Sequence, residues 1–149
     1  MWTGRARRWL ALGLSSICLT ACADRDLTHT PKYVGVIGAE YRTKTQLWAH
    51  GIRRLNDYQQ LDHIWIAPVQ QTGPEIAFLR EIPVGHVFRV RAVRKGFVLL
   101  ENGIEFVLTT DGLDLPPGLE IVVPLFGYMP TSDGFLDQAR FERVGTRAP

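Results

Sequence analysis

The chain has 149 residues, of which 17 are lysine or arginine and 15 are aspartate or glutamate, for a formal net charge of +2. A balance this close sets up no global field strong enough to recruit nucleic acid. Two cysteines, Cys18 and Cys22, are too few for a disulfide-dense scaffold, so the fold must stand on its apolar core.

Residues 1–26 read "MWTGRARRWLALGLSSICLTACADRD". Arg5, Arg7 and Arg8 precede an apolar run over residues 9–20 that is too short to cross a bilayer as a stable helix, which is the layout of an export signal. The run closes on Leu19, Thr20, Ala21 and Cys22: an aliphatic residue, a small or β-branched one, a small one, then cysteine. This tetrad resembles the signal of bacterial lipoproteins. The resemblance implies that residues 1–21 are a signal peptide cleaved after Ala21, that the Cys22 thiol carries a diacylglycerol and that the freed amine of Cys22 is N-acylated. Ala21, Cys22 and Ala23 also fit the small-x-small pattern of an ordinary export signal cut after Ala23, but that reading leaves the cysteine without a purpose. Each buried methylene contributes roughly 0.8 kcal/mol, so one chain anchors marginally and two or three anchor stably. Within the same resemblance, Ala23 rather than aspartate after the cysteine implies the inner leaflet of an outer membrane, with the domain facing the periplasm.

Removal of the signal takes away three arginines and Cys18, leaving 14 basic against 15 acidic residues. Acylation of Cys22 then leaves no thiol for a disulfide, a metal or a nucleophile. No later stretch approaches the ~20 apolar residues a spanning helix needs. Residues 22–32, "CADRDLTHTPK", are polar and aperiodic and read as a lipidated flexible tether; residues 33–149 are long enough for a single domain with one core.

Along that domain, "YVGVIG" is a short apolar run with β-branched residues, read as extended. "EYRTKTQLW" alternates, with Tyr41, Thr43, Thr45 and Leu47 on one face. In "AHGIRRLNDY" helical spacing competes with Gly51; a strand through Ile52 followed by a loop is the better reading. "HIWIAP" is a strand bounded by Pro68, and "QQTG" is a turn before "PEIAFLRE". Residues 81–90, "EIPVGHVFRV", and 114–123, "DLPPGLEIVV", share one pattern in which proline presets φ, glycine relaxes the backbone and an alternating strand follows. Between them, Asn102 and Gly103 suggest a type I′ hairpin joining a strand near residues 97–101 to one near residues 104–109. Pro124 marks the strand over residues 119–125 as an edge or as ending there. "FLDQARFERV" fits a final strand or a short helix. At least six short strands without a convincing long helix predict an all-β fold, a small antiparallel barrel or sandwich of SH3-like or OB-like type.

Chemistry is sparse. Ser132 in "TSDG" lacks a glycine-flanked nucleophile elbow. His29, His50, His63 and His86 show no metal-ligand spacing, the glycines do not form a phosphate loop, and no metal or cofactor beyond the Cys22 lipids is expected. Asp62 and His63 read as a locally bonded pair. Glu75, Glu81, Glu101 and Glu105 have no assignable separation. Trp48, Trp65 and Tyr128 read as core in the first place and as a stacking platform in the second. The one local charge feature is "FRVRAVRK": with Phe88, Val90 and Ala92 inward, Arg89 and Arg91 share the outer face and Arg94 and Lys95 lie at its end. Such a face could hold an anionic partner, an envelope protein or a cell-wall polymer, through arginine, or be neutralised by Glu101 or Glu105 on the neighbouring hairpin. The expectation is a membrane-anchored, noncatalytic binding or assembly module; the alternative is a small envelope hydrolase using Asp, Glu or His.

Overall fold

Alternation of apolar and polar residues carries directly into strands β1 (Ala39–Thr43) and β2 (Leu47–Arg53), where Ala39, Tyr41, Thr43, Leu47 and Ala49 are buried. The computed structural model describes residues 26–54, 56, 58–96, 103–124 and 134–146. Beyond β1 and β2 these residues form β3 (Leu61–Ala67), β4 (Ile76–Ile82), β5 (Val87–Lys95), β6 (Ile104–Thr109), β7 (Glu120–Pro124) and β8 (Phe141–Thr146). The chain is all-β, with one sheet in the order β4-β2-β3-β7-β6-β5-β1-β8. The sheet does not close: β4 and β8 stand at its two ends, so of the two expected architectures the sandwich fits and the barrel does not. Every strand contributes to one apolar cluster, whose largest fully buried side chains include Phe88, Phe106, Leu47, Ile64, Ile66 and Ile82.

The sheet is mixed rather than antiparallel throughout. β7 runs antiparallel to β6 but parallel to β3, with His63 opposite Glu120 and Trp65 opposite Val122, and so joins two antiparallel groups into one sheet. Pro124 is its last residue, as the missing N–H requires, yet β7 lies in the middle of the sheet and not at an edge. Gly51 continues β2 because the Phe78 ring of β4 lies across it, in the space a Cβ would fill. The six apolar residues 33–38 do not extend: Val34–Val36 form a 3-10 turn, because Thr30 accepts the N–H groups of Tyr33 and Val34 and Gly38 turns out at φ 76°. Both proline–glycine devices build as read, with Gly85 at φ 88° launching β5 and Gly118 at φ 80° launching β7.

The hairpin after β5 differs from expectation. Lys95 lies opposite Ile104 and the Gly96 N–H donates to the Gly103 carbonyl, so Ile104 pairs with the end of β5 and not across a two-residue Asn102–Gly103 turn. Residues 97–102 themselves, with Glu101, lie outside the described residues, as do Cys22, Tyr128 and Ser132. The last segment is a strand, β8, preceded by a turn in which Asp137 accepts the N–H groups of Arg140 and Phe141.

Two corners hold the halves of the sheet together. The link from β1 to β2 and the link from β4 to β5 meet at Thr43, which is 1% exposed. Its hydroxyl donates to the Pro83 carbonyl at 2.8 Å and accepts the His86 N–H at 3.0 Å. Its backbone N–H donates to the His86 carbonyl and its carbonyl accepts from Gly85. Thr43→Val keeps the shape but removes the hydroxyl from both partners, and is expected to cost about 1–2 kcal/mol in denaturant unfolding at unchanged m-value. An unchanged midpoint would mean that the corner holds without the hydroxyl.

Residues 26–28, within the expected tether, are docked. Leu27 N–H donates to the Val93 carbonyl at 2.8 Å, Thr28 Oγ1 donates to the same carbonyl at 3.3 Å and accepts the Val93 N–H at 3.2 Å, and Asp26 bridges to Arg94. Asp26 in turn accepts the Thr28 N–H, and this bonding to Thr28 holds its carboxyl below the usual range. The segment thus fills the flank of β5 beyond the end of β1.

Candidate functional site

The predicted basic face forms on β5, with one change of phase. A bulge between Val90 and Ala92 inserts Arg91, so Phe88, Val90 and Val93 enter the core, where the uninterrupted alternation had placed Ala92 instead of Val93. The arginines do turn outward, each onto a carboxylate. Arg89 meets Glu40 of β1 at 3.1 Å, Arg91 meets Glu120 of β7 at 2.6 Å, and Arg94 bridges Glu105 at 2.9 Å and Glu120 at 2.7 Å. Burial works against the Arg94 charge, and its bonds to Glu105 and Glu120 more than offset that, raising its pKa. Lys95 is exposed at the strand end. Three of the four cations are therefore neutralised within the sheet, and the strength left for an outside anion is small.

A polar cleft of about 550 Å3 opens beside this face, lined by Glu40, His86, Arg89, Thr110 and Asp111 among others. The Thr110 hydroxyl donates to the Val87 carbonyl at 2.8 Å, so it accepts from His86 Nε2–H. Burial holds His86 below its ordinary pKa. The Thr110 proton thus points away from the imidazole and Glu40 is occupied by Arg89, which leaves the groups bonded to structure and not arranged as nucleophile and base. His63 bonds Asp62 at 3.0 Å, the local pair expected. Trp48 and Trp65 are half-buried, Trp65 with its ring 6.1 Å from that of His50. No group of three or more His, Cys, Asp or Glu able to hold a metal occurs among the described residues, and no helix there is long and apolar enough to cross a membrane.

A second cleft, of about 570 Å3, lies between the N-terminal 3-10 turn and β8. Its apolar wall comes from Val36, Tyr41, Phe135 and Phe141, all buried or half-buried. Three cations stand at its rim. Lys32 Nζ lies 5.3 Å from the Tyr33 ring centre and 5.7 Å from that of Phe135. Lys44 Nζ donates to the Gln138 carbonyl at 2.8 Å. Arg143 lies opposite Tyr41 in the β1–β8 ladder, hence on the same face, and its Nη2 donates to the Gly35 carbonyl and to Thr146 Oγ1, both at 2.9 Å. Burial pushes the Tyr41 hydroxyl above its ordinary pKa, with Arg143 partly opposing. The only acid on the lining among the described residues, Glu142, lies 3.9 Å from Arg42.

Charge reading of the sequence missed this cleft because its cations sit at positions 32, 44 and 143, each isolated among neutral neighbours or beside an acid. The one available signal was local: a lysine before the aromatic Tyr33 and an arginine two residues after Phe141. Comparison with models of protein families, with curated proteins and with solved structures finds no match.

Proposed function

We propose that the chain is a lipid-anchored envelope module that binds rather than catalyses, held through Cys22 at the periplasmic side of an outer membrane. One observation carries this reading. The segment that leads away from Cys22 is docked on β5 from Asp26 onward, and the same segment then supplies Lys32, Gly35 and Val36 to the cationic cleft. Three residues, Ala23, Asp24 and Arg25, separate Cys22 from Asp26, and these four chain steps reach at most about 14 Å. An anchor so short keeps the cleft near the headgroup layer, where a bound component of the envelope would be met. The paired arginines of β5 serve in this reading as a self-neutralised surface.

The test is made in cells. The tagged full chain should incorporate labelled palmitate, and Cys22→Ser should abolish it. In-cell crosslinking should capture an envelope protein or cell-wall polymer with the native chain and lose it with Cys22→Ser. Absence of label removes the anchor; equal capture by both forms removes the anchor's role in binding.

A further inference from the structure

We infer that the cleft between the N-terminal turn and β8 takes an oxyanion carried on an apolar body: a phosphate- or carboxylate-headed amphiphile. The inference deepens the binding-module reading above and rests on it. Lys32, Lys44 and Arg143 converge on one opening from three distant parts of the chain, and none has a carboxylate partner among the described residues. This contrasts with β5, where each arginine has one. Among the described residues, Lys44 bonds through one of its three N–H donors and Arg143 through Nη2 alone, which leaves further donors on each turned to no described acceptor. Glu142 also lies on the opening, 3.9 Å from Arg42, and as a single carboxylate it offsets at most one of the three cations.

The wall decides the rest of the ligand. A site for a bare anion would be lined by backbone N–H groups and polar side chains, whereas this one is floored by Tyr41, Phe135 and Phe141. The Lys32 ammonium over two ring faces marks where charged and apolar parts of a ligand would divide. A volume of about 570 Å3 lies within the range of small-molecule sites, roughly 300–1,000 Å3. Arginine is suited to grip two oxygens of a phosphate or carboxylate, and the lysines act as point charges beside it.

The chain has three lysines, Lys32, Lys44 and Lys95, which makes amine acylation a direct readout. The full chain in neutral detergent is treated with an acylating reagent, and the rate at each lysine is followed by mass spectrometry. Hexyl phosphate should slow Lys32 and Lys44 several-fold and leave Lys95 unchanged; inorganic phosphate should need at least about tenfold more to do the same. Arg143→Gln should raise the hexyl phosphate concentration required by about tenfold. No protection, equal protection of all three lysines, or equal potency of inorganic phosphate would overturn the inference. Failure here leaves palmitate labelling and Cys22-dependent capture standing, so the two readings fail separately. The source of the head is read with the chain in phosphatidylcholine vesicles. Protection on adding phosphatidylglycerol identifies a lipid of the anchoring membrane, and protection by hexyl phosphate alone identifies a diffusing amphiphile; either supports the ligand class.

Discussion

Phe106→Ala is expected to lower stability by about 3–5 kcal/mol, the range for deleting a fully buried aromatic side chain. Phe106 is 0% exposed at the centre of β6, with Val93 opposite on β5 and Val123 opposite on β7. Small domains have only about 5–15 kcal/mol in total, so the variant should lose roughly a fifth or more of its margin and melt roughly 10–25 °C lower. The damage should not stay in the sheet. The Tyr33 ring meets Phe106 edge-on at 6.1 Å, and Tyr33 seats the turn that carries Lys32. Hydrogen exchange at the Tyr33 and Val34 amides, both bonded to the Thr30 carbonyl, should accelerate along with the global loss. Phe106→Leu should cost clearly less. A loss below about 1 kcal/mol for the alanine variant would show that the core closes over the gap, contrary to the usual cavity cost.

Acid is expected to weaken the fold before the carboxylates titrate, and His50 is the main reason. It is 0% exposed, its Nε2 accepts the Gln71 N–H at 3.0 Å, and its Nδ1 therefore carries the proton facing the Trp65 carbonyl at 3.3 Å. Burial holds its pKa below the ordinary histidine value, against the raising effect of its bonds to the backbone of Trp65 and Trp48. A second proton would sit on Nε2 and face the Gln71 N–H. The folded pKa is lowered, so the unfolded chain binds the proton first: the stabilisation is complete above the unfolded value of about 6.5 and is lost as pH falls from there through the folded value. His86, lowered by burial as well, adds in the same direction. The unfolding free energy should be flat near pH 7.5 and fall below pH 6.5 with a slope of up to about 1.4 kcal/mol per pH unit for each histidine. His50→Gln should flatten that slope. If the two profiles were parallel between pH 6.5 and 5, His50 would not be the group responsible.

What the sequence showed of this fold was what lies close together along it. The alternation through Tyr41, Thr43, Leu47 and Ala49, the strand ending at Pro68 and the two proline–glycine devices depend on neighbours within a few residues, and they appear in the structure. Pairings between distant segments were beyond that reach. The parallel contact of β7 with β3 follows from how two groups of strands share one core, and the alternation of either strand alone is silent on it. The charge run of β5 was visible, but its neutralisation was not, because Glu120 meets Arg91 and Arg94 across 29 and 26 residues of chain. The expected partner Glu105 was named because it lies on the adjacent strand. The bulge at Arg91 exchanged Ala92 for Val93 in the core, a shift that no strict period of two anticipates. Arg143, whose guanidinium reaches Gly35 across 108 residues, belongs to a cleft that only the folded chain assembles.

The docking of residues 26–28 on β5 also fixes how mechanical load would enter the molecule. A pull through Cys22 would reach the domain at Leu27 and Thr28, whose bonds end on Val93 in a strand paired with β6 on its other side and continuous with the β1 ladder. Tension entering there would be borne by an interior strand, and the two ends of the sheet, β4 and β8, would not be the point of entry.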